Sequence, residues 1–369
     1  MIEGFATAEG TAAYARRLAA SVADGHFRRL AGCLASSVGL GTYLGREDAG
    51  TDAQYREAVA RALERGVNVV DTAVNYRYQR SERAVGAALQ ALVAGGGLRR
   101  EEVIVATKGG FVPFDGAAPA DLNRYLAETY VRPGILQAGD LVADCHCMTP
   151  RYLMDQLERS RRNLGLRTID VYFLHNPEME LAEVGRDEFM KRLRAAFAAL
   201  EEAVAAGKIR RYGTATWNGY RQPPDAPDYL PLADLVEAAR EVGGDDHHFA
   251  VIQLPYNLAM TEAFTLANQR VGEQYVPVLH AAERFGLYVM ASASVYQGQL
   301  TRNLPPVIAE FLPGLATDAQ RAIQFVRSTP GIGTALVGMK DVAHVDGNLG
   351  VASASPVPWS EFQRLFSPA

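Results

Sequence analysis

Residues 103–107 read VIVAT, a short run rich in β-branched residues, and seven similar runs recur along the chain with longer amphipathic stretches between them. The eight runs are SVGLGTYL (37–44), VNVVD (67–71), VIVAT (103–107), IDVYFL (169–174), IRRYGTAT (209–216), AVIQLP (250–255), LYVMAS (287–292) and TALVG (334–338). Strands that alternate with helices pair in parallel through crossover helices. The pattern therefore predicts an α/β fold with a closed eight-stranded barrel. The alternative is a doubly wound sheet, which the absence of a GxGxxG sequence after any strand disfavours.

In the intervals between these runs, apolar residues recur at the spacing of an amphipathic helix. Residues 52–65 place Tyr55, Val59 and Leu63 four positions apart, and Gly66 follows as a helix end. Pro150 is typical of a first helical turn. Further helices are predicted over 81–94, 187–206, 231–242, 276–285 and 317–328.

The length of the chain leaves residues over for extensions and insertions. A bare barrel takes about 250 residues, so 369 residues provide on the order of a hundred more. We predict one domain over 1–369, with an N-terminal extension that contributes a helix and a cover for the barrel floor, and a tail that packs outside. Its parts are 1–36 (extension), about 37–349 (barrel) and 350–369 (tail). Long insertions are expected in the loops that follow strands, on the carboxyl-end face: 109–149, which reads as structureless, a proline-rich segment from Gly219, and 257–275.

Composition excludes several functional classes. The chain is 48% hydrophobic, its net charge is −5 and its pI is about 5.9, which argues against nucleic acid as a partner. No segment reaches the roughly 18 uncharged apolar residues of a membrane helix, and the first residues do not resemble a signal peptide. Three cysteines are too few for a disulfide framework. We therefore expect a cytoplasmic protein that does not bind membranes.

Four polar residues stand at or just after the ends of successive runs: Asp71, Tyr76, Lys108 and His175. In a barrel of parallel strands these ends meet on the face where active sites lie, so the four side chains are expected to converge. Taken singly, each residue has a structural explanation: a turn cap for Asp71, loop packing for Tyr76, a solvated amine for Lys108 and a hydrogen-bonded core position for His175.

Several short motifs, in this order and at these strand ends, resemble the aldo-keto reductase family. They are DTAVNY (71–76), ATKGG (106–110), YFLHNPE (172–178), GKIRRYG (207–213), QLPYN (253–257), and ALVG (335–338) followed by Asn348-Leu349. The resemblance runs from about Ser36 to Leu349. It implies a TIM barrel that binds a nicotinamide cofactor and reduces a small aldehyde or ketone, with neither metal nor flavin.

The family's catalytic tetrad falls on Asp71, Tyr76, Lys108 and His175, and the chemistry of each residue suits its role. Hydride transfer to a carbonyl leaves an alkoxide that needs a proton, and Tyr76 is the candidate acid. We expect the Lys108 ammonium to lower the phenol pKa, with Asp71 as the counter-ion that a buried lysine requires. A neutral His175 would donate a hydrogen bond to the substrate oxygen.

Near the nicotinamide the sequence departs from the family pattern. Gly41, Thr42, Tyr43 and Gln253 match it, and Gly298 and Leu300 after strand seven also belong to the cofactor-binding set that the resemblance implies. The usual Ser-Asn after strand five is Ala215-Thr216 here, so Thr216 is the expected donor, with Asn218 nearby. Ser292 replaces the tyrosine that stacks on the nicotinamide, which leaves Tyr296 or Tyr256 as a substitute.

The phosphate end of the cofactor is expected along GMKDVAHVDGN (338–348), where Gly338, Lys340, His344 and Asn348 fit the family layout. Lys340 favours NADP(H) over NAD(H), whereas the neighbouring Asp341 opposes that preference. A helix N-terminus near 341–344 would add backbone donors for phosphate.

Two features of the 109–149 insertion each have two interpretations. Cys145-His146-Cys147 suggests a metal site, but no second pair of ligands stands at zinc spacing, so packing of the thiols is preferred and no metal is expected. Phe111 and Phe114 either wall a substrate pocket or pack within the loop, as do Tyr125 and Tyr130.

Three functions follow from these observations. The first is an NADP(H)-dependent carbonyl reductase. The second is a nicotinamide-binding regulatory subunit with little turnover, and the third is a lyase in which Lys108 forms a Schiff base. The sequence does not indicate the particular substrate or the oligomeric state.

Overall fold

In the computed structural model, which describes residues 1–366, eight parallel strands close into a barrel. The barrel strands are β3 (Val38–Gly41), β4 (Val69–Asp71), β5 (Ile104–Gly109), β6 (Ile169–His175), β7 (Ile209–Ala215), β8 (Phe249–Pro255), β11 (Tyr288–Ser292) and β12 (Ile332–Gly338). They follow one another around the barrel in chain order, and β12 closes it by pairing with β3. The predicted barrel is confirmed, and closure excludes the doubly wound alternative. Strands that are buried on both faces explain why the runs are continuously apolar.

Helices lie around the barrel, and they include each helix that was predicted with bounds, shifted by at most three residues. They are α1 (Ala8–Leu18), α2 (Ala49–Glu64), α3 (Arg80–Ala94), α4 (Leu122–Leu126), α5 (Pro150–Leu164), α6 (Glu178–Val184), α7 (Arg186–Ala205), α8 (Leu232–Gly243), α9 (Glu262–Thr265), α10 (Val278–Arg284), α11 (Pro306–Phe311), α12 (Asp318–Ser328), α13 (Val342–Asn348) and α14 (Trp359–Phe362). The α2 helix begins three residues before the predicted start, because the Asp48 side chain accepts a hydrogen bond from the Thr51 amide at 2.7 Å.

The barrel interior is filled by apolar side chains from its strands, and three buried residues of the N-terminal extension join them. Ala6, Leu30 and Ala35 pack in the same cluster as Phe173 and Met290. The extension contains α1 and an antiparallel hairpin of β1 (Phe27–Leu30) and β2 (Cys33–Ser36). It therefore contacts the amino ends of the barrel strands, which we call the floor.

The 109–149 insertion is more ordered than its sequence indicated. It contains α4 and a π-helical turn over Ala127–Val131, and Tyr130, Leu136, Cys147 and Tyr152 form a small buried core beneath it. The prediction of a structureless loop is wrong, because these apolar residues are too far apart in sequence to form a periodic pattern.

The other added segments also form elements. Residues 257–277 contain α9 and a hairpin of β9 (Ala267–Val271) and β10 (Gln274–Pro277). Short 3-10 turns occupy Arg100–Glu102, Tyr296–Thr301, Leu349–Ser353 and Gln363–Phe366. The end of the predicted tail, 367–369, lies outside the described residues. Within residues 1–366 no helix has the length and apolar character that crossing a bilayer requires.

Candidate active site

The carboxyl ends of neighbouring strands bring the predicted polar residues together at one end of the barrel, which we call the mouth. Asp71 ends β4, Lys108 lies near the end of β5, and His175 ends β6. Tyr76 follows in the loop after β4, where its backbone amide donates to the Ala73 carbonyl at 3.1 Å. The barrel topology thus places an acid, an amine, an imidazole and a phenol around one space.

Lys108 is completely engaged with its neighbours. Its Nζ donates to the two carboxylate oxygens of Asp71 at 2.8 and 2.7 Å and to the Thr72 carbonyl at 2.9 Å. An ammonium has three protons, so each one has an acceptor. Burial lowers the pKa of Lys108, and the charge of Asp71 acts in the opposite direction. Lys108 is thus a fixed cation whose charge depends on Asp71.

Tyr76 lies beside this ion pair. The Lys108 Nζ stands 4.9 Å from the centre of the Tyr76 ring, and the Tyr76 and His175 rings are edge to face with centres 5.8 Å apart. The pKa of Tyr76 is raised well above its usual value, first by burial and then by the negative charge of Asp71. The pKa is raised where a lowered one was expected from Lys108, because burial and the charge of Asp71 both oppose ionisation of the phenol. The phenol therefore remains protonated.

His175 is held in an environment that favours the neutral imidazole. Burial lowers its pKa well below the usual value, and the charges of Lys108 and His146 lower it further. Its Nδ1 is buried without a hydrogen-bond partner among the described residues. Phe111 packs edge to face against the ring at 5.0 Å between centres. His175 can therefore present an N–H group to a substrate oxygen without first losing a proton.

The neighbouring strands supply amide and hydroxyl groups. The Gln253 Nε2 donates to Asp71 at 2.8 Å, which ties β8 to the ion pair, and the Thr42 hydroxyl donates to the Asp71 carbonyl at 3.1 Å. Gly41 pairs with Asp71 across β3 and β4, and Tyr43 packs on the Tyr76 ring at 5.0 Å. The first-strand segment and Gln253 thus lie beside the tetrad.

Thr216 fits a hydrogen-bonding role toward a ligand. Its hydroxyl is buried and has no partner among the described residues, and a buried polar atom of this kind is costly unless a bound molecule satisfies it. Asn218 is two residues further along the same loop and is half-buried. The Thr216 hydroxyl can therefore form a hydrogen bond with a bound molecule.

Glu178 fixes this loop, and the sequence analysis quoted it only as part of a motif. Its Oε1 accepts hydrogen bonds from the amides of Trp217, Asn218 and Gly219 at 2.7, 3.1 and 3.5 Å. Burial raises its pKa. The signal in the sequence was a charged residue, Glu178, two positions after Asn176. In the structure Glu178 is the first residue of α6, behind the mouth.

The two candidates for nicotinamide stacking differ in the structure. Tyr256 is fully buried and stacks on Phe325, with ring centres 5.6 Å apart and planes 9° apart. It is a core residue, so its assignment as the stacking substitute is wrong. Tyr296 is half-buried in the turn after β11, near Gly298 and Leu300. Ser292 ends β11 and is half-buried.

At the proposed phosphate end, α13 starts where a helix N-terminus was predicted. Asp341 caps it by accepting from the His344 amide at 2.9 Å, and the His344 Nδ1 lies 3.1 Å from the same carboxylate. Gly338 and Lys340 are exposed just before the helix. A carboxylate at the cap competes with phosphate for the backbone donors.

The structure separates the remaining insertion residues. Phe114 packs against Tyr78 and Tyr125 within the loop, at 5.5 and 5.7 Å between ring centres, so Phe111 is the one of the two predicted phenylalanines that contacts the tetrad. Cys147 lies in the insertion core, as expected for a packed thiol. Among residues 1–366 no group of three or more His, Cys, Asp or Glu side chains is arranged to hold a metal ion.

An eight-stranded parallel barrel whose buried ionisable groups gather at the carboxyl ends of its strands is an architecture of enzymes. The model of the Aldo/keto reductase family matches residues 37–306, and the chain belongs to this family. The chain is similar to the NADH-specific methylglyoxal reductase of Escherichia coli K12, with 28% identity over 161 residues. That alignment covers 43% of this chain and 40% of the relative, which is less than half of each.

Solved structures show the same fold. The aldo/keto reductase from Klebsiella pneumoniae, in complex with NADP and acetate, superimposes with a TM-score of 0.61 and 22% identity, over 93% of this chain and 96% of that one. The glycerol dehydrogenase from Gluconobacter oxydans gives a TM-score of 0.64 and 20% identity, over 93% and 95%.

Proposed function

We propose that the chain is an NADP(H)-dependent reductase of aldehydes or ketones in which Tyr76 is the proton donor. The observation that carries this proposal is the joint arrangement of Asp71, Lys108, Tyr76 and His175 around one space at the mouth. A reduced nicotinamide supplies a hydride to the carbonyl carbon when it is bound.

The proton step follows from the electrostatics of Tyr76. Its raised pKa keeps the phenol protonated until an alkoxide forms nearby, and an alkoxide is a stronger base than a phenolate. His175 orients the carbonyl oxygen by donating a hydrogen bond from its neutral ring. The Lys108 ammonium, which Asp71 holds over the Tyr76 ring, then stabilises the phenolate that remains.

The cofactor would be held by groups along the mouth. Thr216, Asn218 and Gln253 would bind the carboxamide, Gly41, Thr42 and Tyr43 would border the nicotinamide, and the half-buried Tyr296 would provide the stacking surface that Ser292 lacks. We assign Gly338, Lys340, His344 and Asn348 to the phosphate and adenine end.

The preference for NADP(H) rests on Lys340. This lysine makes no ion pair with the described residues, whereas His344 is already paired with Asp341. Comparing kcat/KM for NADPH and NADH, in the wild type and in Lys340→Ala, tests the preference. We expect NADPH to be preferred and the substitution to reduce that preference. Equal loss with both cofactors would contradict the role of Lys340, and a preference for NADH would contradict the cofactor assignment.

The Schiff-base alternative is disfavoured by the geometry of Lys108. All three of its ammonium protons have acceptors, and two of these are the oxygens of Asp71. A lysine that attacks a carbonyl must first lose its proton. Its tight ion pair opposes that loss.

The activity is tested by NADPH oxidation with a panel of aldehydes and ketones that includes methylglyoxal. We expect turnover, and we expect Tyr76→Phe to lower kcat by about 10²- to 10⁴-fold while NADPH binding is retained. Tyr78→Phe is the matched control, since Tyr78 lies in the same loop and packs on Phe114 instead. NADPH binding without turnover across the panel would favour the regulatory subunit, and the loss of both would refute the proposal.

A further inference from the structure

His146, which comes from the 109–149 insertion, contacts the backbone of His175. Its Nε2 lies 2.7 Å from the His175 carbonyl oxygen, and its Nδ1 lies 3.0 Å from the Glu180 Oε1. The other oxygen of Glu180 accepts from Arg192 at 3.0 Å. The side chains of His146 and Glu180 are almost completely buried. A chain of polar contacts thus runs from the outer helix α7 to the base of the tetrad.

The partners of His146 define its charge. A carbonyl oxygen and a carboxylate oxygen both accept hydrogen bonds, and an imidazole can donate from both nitrogens only when both carry protons. Hydrogen bonds from His146 to both partners therefore require a proton on each of its ring nitrogens. A buried cation requires a partner, which Glu180 provides, and Arg192 in turn orients Glu180.

The backbone around His146 is built for this contact. Gly110 has a φ of +143°, and a Cβ at this position would lie 2.6 Å from the His146 Nε2 and 3.0 Å from the His175 carbonyl oxygen. Only glycine leaves room for the hydrogen bond between the two histidines. The Cys147 amide donates to the Gly110 carbonyl at 3.0 Å, and the Val112 amide donates to the Cys145 carbonyl at 2.7 Å. The two ends of the insertion are thus paired directly beside the site.

Phe111 connects the two rings. It packs edge to face against His146 at 5.3 Å and against His175 at 5.0 Å between centres. His146 therefore constrains His175 in two ways, through its carbonyl group and through an aromatic side chain that both histidines contact.

We propose that His146 is a positioning residue of the reductase, which holds His175 in the orientation that aligns the substrate carbonyl. The inference rests on the proposed carbonyl reduction. It gives the insertion a catalytic task, since the residue that fixes His175 is supplied by the insertion. The charge of His146 also contributes to the lowered pKa of His175, after burial and Lys108. His146 thereby favours the neutral ring as well as its position.

The test is His146→Gln, with His248→Gln as the matched control. His248 also pairs with a glutamate, through its Nδ1 at 2.7 Å from Glu201, but it directly precedes β8 at the floor. An amide is neutral and cannot replace both N–H contacts of an imidazolium. We expect kcat to fall by about 10- to 100-fold in His146→Gln, the scale that misplacement of a catalytic group produces. NADPH affinity should stay unchanged, and His248→Gln should behave as the wild type.

The pH profile separates positioning from a general structural effect. His175 is faced by Lys108, Tyr76 and His146, with Asp71 behind the lysine. Removing the His146 charge makes the lowering of the His175 pKa smaller, so the imidazolium forms at higher pH. The acidic limb of kcat/KM should therefore shift to higher pH in His146→Gln but not in His248→Gln. Wild-type kcat and pH profile in His146→Gln would overturn the proposal.

A second measurement does not depend on turnover. In ¹⁵N-histidine NMR spectra of the wild type at neutral pH, with the His146 signals assigned by their absence in His146→Gln, both ring nitrogens of His146 should be protonated. His175 should be neutral. A neutral His146 ring would refute the inference. If the wild type reduces no carbonyl compound while these signals are observed, the proposed function fails but the contact between the histidines stands.

Discussion

Asp71 at the mouth and Asp170 at the floor of the barrel are both buried carboxylates bonded to a buried cation, yet their surroundings differ. Asp170 accepts from the Ala6 amide at 2.7 Å, from Arg100 at 2.7 Å and from the Val105 amide at 2.8 Å, and it joins three segments of the chain. Asp71 accepts instead from two side chains, Lys108 and Gln253, at the carboxyl ends of the strands. Asp170 at the floor links segments of the backbone, whereas Asp71 at the mouth holds the side chains of Lys108 and Gln253.

Unpartnered polar atoms lie at both ends of the barrel, so they do not by themselves mark the mouth. Around the mouth, buried polar atoms of Thr72, Asn75, His175, Glu178 and Thr216 have no hydrogen-bond partner among the described residues. At the floor both oxygens of Asp170 have partners, but the Nε of Arg100 has none among these residues. The two carboxylates differ in what they bond to: Asp170 bonds to backbone amides and a guanidinium, and Asp71 bonds to side chains beside the tetrad.

Neutralising each carboxylate in turn should give the largest difference between the floor and the mouth. In Asp170→Asn the Arg100 guanidinium keeps its charge without a counter-ion, and we expect a loss of about 3–5 kcal/mol in the free energy of unfolding. In Asp71→Asn burial already favours the neutral amine of Lys108, so the lysine can lose its proton and the stability loss should be smaller. The loss in activity should be about 10²-fold or more.

Chemical denaturation and steady-state kinetics of both variants check this prediction. The folded fraction of Asp170→Asn should retain wild-type kcat, and Asp71→Asn should remain folded but slow. Equal destabilisation of the two variants would contradict the distinction between mouth and floor.

Sequence patterns predicted the fold well, because strands that are buried on both faces must be apolar throughout. They also located the tetrad region, since parallel strands bring their carboxyl ends together. They did not predict what fixes the tetrad. Glu178 acts on amides some forty residues later, and His146 meets His175 only after the insertion has folded back. Such pairings depend on tertiary contacts that leave no local periodicity.

A buried histidine at the floor extends the comparison to pH. His26 lies at the floor, where its Nε2 lies 2.9 Å from the Gly66 carbonyl, and burial lowers its pKa to about 4. Below its unfolded value of 6.5 the unfolded chain binds a proton that the folded chain does not. Stability should therefore fall as the pH decreases from 6.5 to about 4, by about 3 kcal/mol in total for this group.

Unfolding free energies measured across this pH range check the contribution of His26. His26→Gln should be less stable near neutral pH but should lose less stability on acidification than the wild type. His280→Gln, at an exposed position, is the control and should keep the wild-type slope. An unchanged slope in His26→Gln would show that other groups determine the acid sensitivity.

The smallest expected effects come from two threonines, one with a partnered and one with an unpartnered hydroxyl. Valine has nearly the same shape as threonine but lacks the hydroxyl. The Thr107 hydroxyl donates to the buried Glu82 carboxylate at 2.6 Å, so Thr107→Val should cost about 1–3 kcal/mol of unfolding free energy and leave NADPH affinity unchanged. The Thr216 hydroxyl has no partner among the described residues, so Thr216→Val should leave stability equal or slightly higher. NADPH affinity should weaken about tenfold, which corresponds to about 1.4 kcal/mol. Thermal unfolding and NADPH titration of the two variants provide the check. If Thr216→Val is destabilising and binds NADPH normally, the unpartnered hydroxyl is part of the scaffold and does not bind the cofactor.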